Sequence, residues 1–218
     1  DAGVPWEKIR RIGIGVPGTA NEETGVVEYA NNLRFENVPL RQMMHDRLGL
    51  DIYIENDANA AALGENFCGA GKKYSSMILV TLGTGVGGGI VIDGKLFEGN
   101  RSAGAEIGHE VIRVGGAKCT CGRRGCFEAY ASATALISQT KRMMERHPDS
   151  ALWSVAGTLE NVDGKTAFDA MRRGINTRKE SFPNISAIWR RELRIWRMCS
   201  VRKLFCWAAE CAPRETHF

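Results

Sequence analysis

Three cysteines within residues 119–126 constrain the folding of this 218-residue chain more than any other feature. They are Cys119, Cys121 and Cys126, and His109 lies upstream of them. Three thiolates and one imidazole form a closed Cys₃His zinc site, in which four protein ligands leave no position for water. The alternatives are a disulfide and scattered buried thiols, and the missing export signal disfavours a disulfide. We expect a structural zinc ion here.

A glycine-rich loop follows the apolar run at residues 77–82. It reads Gly83-Thr-Gly-Val-Gly-Gly-Gly89. Because glycine has no side chain, the backbone N–H groups of the loop can approach phosphate oxygens closely. The loop is therefore a candidate phosphate-binding loop. A plain turn is the alternative, because the loop matches neither the P-loop lysine pattern nor the dinucleotide fingerprint.

The tripeptide Glu55-Asn56-Asp57 follows a buried strand predicted at residues 52–54. A carboxylate at the end of such a strand is rigidly held, as a general base must be. The alternative is that Asp57 only caps the helix predicted from Ala58 to Glu65. Further polar residues offer the donors and acceptors that a polyhydroxyl sugar requires, and they are Asn32, Asn56, Glu106, His109 and Glu128.

Alternating and apolar runs between glycine turns predict an α/β protein. Strands are predicted at residues 12–16, 25–30, 52–54, 77–82, 89–92 and 95–97, the last after an Asp93-Gly94 hairpin turn. Helices are predicted at residues 39–48, 58–65, 127–146 and 166–173.

Charge and hydropathy argue against two classes of partner. The net charge of +4 is small and evenly spread, so we expect no nucleic-acid partner. The most apolar run, residues 77–92, is rich in glycine, so we expect no membrane span. With no export signal in view, we expect a cytoplasmic protein.

The last 44 residues differ in composition from the rest of the chain. All 25 glycines lie in residues 1–174, and residues 175–218 also lack Asp and Tyr while holding three of the five tryptophans. A basic helix at residues 185–204 is one interpretation. A reading frame lost near Gly174 is the other, and we adopt it as a hypothesis. Resequencing that stretch tests it, since an intact frame would contradict it.

Six segments resemble one family in the same order along the chain. They read GIGVPGTAN (13–21), NNLRFENVPL (31–40), ENDANAAALGE (55–65), LVTLGTGVGGG (79–89), GAEIGH (104–109) and CTCGRRGCFEAYASATAL (119–136). These segments are similar to the ROK (repressor, ORF, kinase) sugar kinases, especially the glucokinases of Gram-positive bacteria. The resemblance covers essentially residues 1–174.

The resemblance implies an α/β, actin-like and ribonuclease-H-like ATPase fold of two lobes, incomplete at both ends, with sugar and ATP meeting in the cleft between lobes. Residues 1–62 would be the remnant of the N-terminal lobe. Residues 63–174 would be the larger lobe, with the zinc motif and the second phosphate loop. Residues 175–218 would be the out-of-frame tail.

The implied activity is ATP-dependent phosphorylation of a hexose, glucose to glucose 6-phosphate, with Asp57 as the base that deprotonates the 6-hydroxyl. Sugar contacts are implied for Asn32, Asn56, Asp57, Glu106, His109 and Glu128. Phosphate contacts of ATP, which acts with Mg²⁺, are implied for Gly83, Thr84, Gly85, Gly87 and Gly88. The family's zinc ligands match His109, Cys119, Cys121 and Cys126.

Two departures from the family pattern affect the expected activity. The family's first phosphate loop should lie upstream of Asp1, and its late glycine motif occurs only in the restored frame. We therefore expect this chain to be inactive and the complete protein, a homo-oligomer like its relatives, to be active. The alternatives are a sugar-sensing repressor of the same family, a kinase for N-acetylmannosamine, fructose or allose, and a nonfunctional gene fragment.

Overall fold

The computed structural model describes residues 3–99, 104–173 and 204–208. The chain divides into two compact units built from interleaved stretches. The first unit comprises Asp1–Leu79 and Gly88–Ala105, and the second comprises Val80–Gly87 and Glu106–Phe218. The domain division at residue 62 stays a prediction.

Mixed strands and helices make up the described residues. The strands are β1 (Arg11–Val16), β2 (Thr19–Asn21), β3 (Val26–Ala30), β4 (Phe35–Val38), β5 (Asp51–Asn56), β6 (Met77–Leu82), β7 (Val86–Ile92), β8 (Lys95–Leu96) and β9 (Leu204–Ala208). The helices are α1 (Leu40–Leu48), α2 (Asp57–Phe67), α3 (Glu128–Ala131), α4 (Ala133–Arg146), α5 (Trp153–Ala156) and α6 (Thr166–Arg172), with short 3-10 helices at Trp6–Lys8, Asn31–Leu33 and Ile107–His109.

The first unit is centred on the parallel pair β1 and β5. Ile52 and Ile54 are buried and alternate with exposed residues, as the period of a strand with one covered face requires. The register places Val16 opposite Asn56, so both strands end at the same edge. The core beneath them consists of Val16, Ala20, Val27, Ala30, Ile52 and Ile54, contributed by β1, β5 and the antiparallel sheet β2-β3-β4.

Helix α1 follows the predicted boundaries closely. It begins at Leu40 with Pro39 in the capping position, and it ends where Gly49 adopts the left-handed conformation at φ +64°. Asp93 and Gly94 also have positive φ, as the predicted hairpin turn before β8 requires.

Strand β7 begins three residues earlier than predicted. Gly87 and Gly88 lie within the strand, so the loop itself spans only residues 83–85. Gly89 shows why glycines occur here: the Ala62 methyl and the Ala58 carbonyl of α2 occupy the space that a β-carbon would need. The glycines of β7 thus include one required for close helix–strand approach rather than for a loop.

The single helix predicted at residues 127–146 is wrong, because the chain forms two helices that Ser132 separates. Ser132 adopts an extended conformation with ψ 161° between α3 and α4, and its hydroxyl accepts a hydrogen bond from the Ala135 N–H. Serine competes for backbone donors in this way at helix starts. Helix α4 then packs Met143 and Met144 into the core of the second unit.

Short elements were not predicted. Strands β2 and β4 and helix α5 have only three or four residues each, too few to show a period. A four-stranded sheet has the order β8-β7-β6-β9. Apart from β9, the tail at 175–218 lies outside the described residues, and so does most of the alternative helix at 185–204. Among the described helices, none is long and apolar enough to cross a bilayer.

We expect Gly18→Ala to destabilise the chain by about 2–4 kcal/mol. Gly18 has φ +105°, and the Tyr29 carbonyl oxygen occupies the space of an added β-carbon, so strain and overlap add. Denaturant unfolding of the variant measures the change. Gly13→Ala in β1 is the matched control, because nothing lies within 4 Å of its added methyl. Equal destabilisation of both variants would contradict this account.

Candidate active site and metal centre

Asp57 lies at the junction of β5 and α2, where the strand ends and the helix begins. Its side chain is exposed, and its Oδ1 accepts a hydrogen bond of 2.8 Å from the Ala58 N–H. The position therefore presents a carboxylate to solvent from a fixed backbone.

Asn56, rather than Asp57, is the N-cap of α2. Its Oδ1 accepts hydrogen bonds from the N–H groups of Ala58 and Asn59, at 2.9 Å and 3.1 Å. Its Nδ2 donates to the Gly18 carbonyl oxygen at 2.9 Å. Asn56 thus ties the start of α2 to the turn after β1 and is the N-cap, while Asp57 shares only the Ala58 N–H with it. Asn32, the other amide of the predicted sugar set, is exposed in the 3-10 helix Asn31–Leu33 of the same unit.

Three acids form a cluster in the first unit that the sequence did not predict, although one of them, Glu55, belongs to the tripeptide at residues 55–57. Carboxylate oxygens of Glu22, Glu55 and Glu98 lie within 4.8 Å of one another. Glu55 also accepts hydrogen bonds from the Asn56 N–H and from Asn59 Nδ2. Burial raises the pKa of Glu98, and the neighbouring carboxylates of Glu22 and Glu55 raise it further. Residues so far apart in the chain carry no sequence signal for this cluster.

The four predicted metal ligands converge in the second unit. One ligand atom from each of His109, Cys119, Cys121 and Cys126 lies within 4.8 Å of all the others. Cys119 Sγ is 3.6 Å from His109 Nδ1, and Cys121 Sγ is 3.7 Å from Cys126 Sγ. A tetrahedral zinc ion with the usual bond lengths separates a sulfur from a nitrogen by about 3.6 Å and two sulfurs by about 3.8 Å. The cluster therefore has the dimensions of a zinc site.

The disulfide alternative does not fit this geometry. A disulfide requires sulfurs about 2.05 Å apart, far closer than the 3.7 Å between Cys121 and Cys126. A hydrogen bond from the Arg123 backbone lowers the pKa of Cys121 to about 6, whereas burial raises the pKa of Cys126 to about 12. One exposed thiolate and one buried thiol thus face each other, and a cation would stabilise both as thiolates.

A tight loop brings the ligands together. Antiparallel bridges join Val111 to Cys126 and Lys118 to Arg124, which fold residues 111–126 back on themselves. Gly125 has φ +85°, and the Arg113 carbonyl oxygen fills the space of a β-carbon, so only glycine fits there.

His109 presents its two ring nitrogens to different groups. Nδ1 faces Cys119, while Nε2 lies 3.9 Å from a carboxylate oxygen of Glu106. Metal-binding histidines commonly face a carboxylate in this way, which orients the ring. Glu106 immediately precedes the 3-10 helix Ile107–His109 and His109 is its last residue, so a single short turn of chain places both.

Glu128, the first residue of α3, contacts both the cysteine loop and the glycine loop. Its Oε1 accepts a hydrogen bond of 3.0 Å from the Thr120 hydroxyl. Its Oε2 accepts one of 3.1 Å from the Val86 N–H. Thr120 therefore belongs to the candidate site, and the sequence analysis did not predict it. Its position between the predicted ligands Cys119 and Cys121 could have indicated this role.

The glycine loop has a defined conformation at residues 83–85. The Gly83 N–H donates to the Gly85 carbonyl oxygen at 3.0 Å, which closes the turn. The Thr134 hydroxyl donates to the Thr84 carbonyl oxygen at 2.8 Å, and the Ala133 N–H donates to the Gly83 carbonyl oxygen at 2.8 Å. The loop is thus anchored at the start of α4.

The predicted site residues form one group in each unit. Asn32, Asn56 and Asp57 belong to the first unit, whereas Glu106, His109, Glu128 and the cysteines belong to the second. Of the predicted phosphate-contacting residues, Gly83, Thr84, Gly85 and Gly87 belong to the second unit and Gly88 to the first.

Comparison with known families matches residues 5–188 to the ROK family. The chain belongs to the ROK family. The predicted membership is therefore confirmed, and the match extends beyond the residues on which the resemblance was recognised. The glucokinase of Thermotoga maritima is 42% identical over 169 residues, which are 77% of this chain and 53% of that protein. The xylose repressor of Caldicellulosiruptor bescii is 43% identical over 152 residues, or 70% of this chain and 37% of that protein.

Solved structures show the same relationship. The ROK glucokinase of Streptomyces griseus, in complex with glucose and AMPPNP, has a TM-score of 0.82 and 33% identity over 92% of this chain and 66% of that one. The ROK hexokinase of Thermus thermophilus has a TM-score of 0.75 and 27% identity over 93% and 64% of the two chains. The predicted actin-like α/β fold is confirmed. The chain spans about half the length of the curated glucokinases that it matches.

We expect Glu98→Gln to stabilise the chain at neutral pH. Because folding raises the pKa of Glu98, the protonated carboxyl group favours the folded state. This stabilisation is present in full below the ordinary Glu pKa, and it is lost as the pH rises through the raised pKa. Glutamine removes that loss. Thermal unfolding at pH 4 and pH 7 should therefore show a gain at pH 7 that shrinks at pH 4. Glu36→Gln, an exposed residue outside the cluster, is the control. A gain of equal size at both pH values would exclude this explanation.

Proposed function

We propose that this chain is the sugar-binding part of an ATP-dependent hexose kinase whose substrate is glucose. The observation that carries the proposal is the carboxylate of Asp57, exposed where β5 ends and α2 begins and held by a hydrogen bond from the Ala58 N–H. A general base needs both accessibility and a fixed position, and the junction provides both.

Relatives of known activity support the proposal. The Thermotoga maritima protein is a glucokinase, and the Streptomyces griseus structure contains glucose together with the ATP analogue AMPPNP. This chain retains the family's glycine loop and metal-ligand motif at residues 83–89 and 109–126.

In the proposed mechanism Asp57 accepts the proton of the sugar 6-hydroxyl as that oxygen attacks the terminal phosphorus of ATP. The bond from this phosphorus to the bridging oxygen breaks, and ADP leaves. A positioned base of this kind contributes about 10²–10⁴-fold. Mg²⁺-ATP supplies the phosphoryl group and the cation that offsets its charge. The chain itself contributes position. The Ala58 N–H holds the base, Asn56 caps the helix on which it lies, and the anchored turn at residues 83–85 would present backbone groups to phosphate.

The remaining polar residues suit the other sugar hydroxyls. Carboxylates accept hydrogen bonds from hydroxyl groups and amides can both donate and accept, so a set of both kinds can distinguish the orientations of several hydroxyls. In this proposal the sugar contacts are Asn32, Asn56, Glu106, His109 and Glu128.

The proposed metal is a structural zinc ion held by His109, Cys119, Cys121 and Cys126. The interatomic distances fit a tetrahedral site, and three sulfur ligands favour zinc over Mg²⁺ or Ca²⁺. With four protein ligands the site is closed, so the ion's role is to hold the loop at residues 109–126 and, through it, the neighbouring Glu106 and Glu128.

A sugar-responsive repressor is the second candidate, because the xylose repressor is as similar to this chain as the glucokinases are. Binding of xylose without binding of glucose would favour it. The homo-oligomeric assembly of the complete protein, its cytoplasmic location and its independence of nucleic acid stay predictions.

Sugar binding and transfer can be measured separately. We expect this chain to bind glucose in calorimetric titrations more tightly than N-acetylmannosamine, fructose or xylose, and to release no ADP alone. A chimera in which residues 5–173 replace the matching segment of Thermotoga maritima glucokinase should phosphorylate glucose. In that chimera Asp57→Asn should lower kcat by about 10²–10⁴-fold, since asparagine cannot accept the proton.

Asp51→Asn is the matched control, because Asp51 is an exposed acid at the opposite end of the same strand. It should leave kcat unchanged. Asp57→Asn should also keep glucose affinity within about tenfold, since its amide oxygen still accepts a hydrogen bond. A full rate in the Asp57→Asn chimera would refute the assignment of the base, and glucose-dependent ADP release by the chain alone would refute its expected inactivity.

For the metal we expect one zinc ion per chain by elemental analysis after dialysis. Cys121→Ser should weaken zinc affinity by more than about 100-fold, because losing even a group that only orients a ligand costs 10–100-fold. Cys68→Ser should retain the ion, and it is a matched control because both thiols are exposed. Full zinc content in Cys121→Ser would remove that residue from the ligand set.

A further inference from the structure

The Val86 amide at the start of β7 is the point where the glycine loop meets the metal cluster. Val86 is buried, and its N–H donates to Oε2 of Glu128. Hydrogen bonds from a buried N–H to a carboxylate are stronger than those between neutral groups, and leaving such an N–H unpaired is costly. The position of Glu128 therefore determines whether the Val86 N–H, which follows the glycine loop, has a hydrogen-bond acceptor in this conformation.

The other oxygen of Glu128 faces the cysteine loop. Thr120, which lies between the ligands Cys119 and Cys121, donates to Oε1 at 3.0 Å. Cys119 Sγ itself lies 3.7 Å from the same oxygen. The two oxygens of one carboxylate thus join a residue of the metal loop to a residue of the glycine loop.

A glycine leaves room for the Glu128 carboxylate. An added β-carbon on Gly85 would meet Oε2 of Glu128, so glycine at this position leaves room for the carboxylate. The Val86 carbonyl oxygen likewise fills the space of a β-carbon on Gly108, the neighbour of His109. Val86 is therefore contacted on both its N–H and its C=O by residues next to the metal cluster.

We propose that Glu128 is a positioning residue that couples metal binding at His109, Cys119, Cys121 and Cys126 to the order of the glycine loop. Metal binding fixes Thr120 between its two ligand neighbours, Thr120 orients Glu128, and Glu128 holds the Val86 amide. Loss of metal would then loosen the end of the phosphate-binding loop. This inference rests on the proposed function of the loop and adds a regulation by metal to it.

Amide hydrogen exchange at Val86 tests the coupling in the full chain loaded with zinc. Thr120→Val should accelerate exchange at Val86 by about 10–100-fold, because the carboxylate loses its fixed orientation. The Met144 amide in the core of α4 should not change, and zinc content should stay at one per chain. Thr158→Val is the matched control, because that hydroxyl also bonds to a glutamate, Glu160. Unchanged exchange at Val86 in Thr120→Val would overturn the proposal.

Variants at Glu128 give the second measurement. In the wild-type chain, zinc removal by a chelator should accelerate exchange at Val86. In Glu128→Ala exchange should be fast with or without zinc, whereas Glu128→Gln, which keeps one carbonyl oxygen for Val86, should restore part of the zinc dependence. An equal effect of zinc removal in the wild type and in Glu128→Ala would overturn the role of Glu128.

These readouts require neither sugar nor nucleotide. If Val86 protection depends on zinc and Glu128 but the chain binds no hexose, the coupling stands and the kinase proposal fails. If hexose binds and the exchange pattern is unaffected by Thr120→Val and by zinc removal, the coupling fails alone.

Discussion

The convergence of one imidazole and three thiols determines the conformation of the segment from His109 to Cys126. In this described stretch no hydrophobic side chain before Cys126 is buried, and Val114 is 94% exposed. Burial of apolar surface therefore cannot hold the loop, and a chain rich in glycine pays a large conformational entropy to order. The proposed metal ion, bound by the four converging side chains, would be a term large enough to offset that entropy.

The glycines of this chain serve several distinct purposes. Gly18 and Gly125 occupy conformations with positive φ, Gly89 lets β7 approach α2, and Gly85 leaves space for the Glu128 carboxylate. A glycine-rich segment is therefore only partly a phosphate loop. In the second unit, Gly85 belongs to the turn that would expose backbone groups to a ligand, and it also leaves room for the Glu128 carboxylate that accepts from Val86 and Thr120.

Sequence reasoning succeeded where the pattern is local. Strand β6 and helix α1 follow from apolar period and turn residues, and the four predicted metal-binding side chains do converge, although their binding of a metal stays a prediction. It failed at Ser132, where one hydroxyl bonded to the Ala135 N–H divides a helix that is otherwise periodic. It also left open whether Asp57 is a cap or a base, because both roles suit an aspartate before a helix, and only the bonds of Asn56 assign the cap.

By itself the sequence determined the family, the α/β class and the set of side chains proposed to bind a metal, because these depend on residue types at short, fixed spacings. Only the tertiary structure decided which residues that are distant in the sequence contact each other. Glu22, Glu55 and Glu98 meet, and Glu128 bridges Thr120 and Val86, although nothing in their local sequence marks them as partners. Such contacts arise from chain packing, which places side chains by the sum of many weak, non-local interactions rather than by any pattern along the chain.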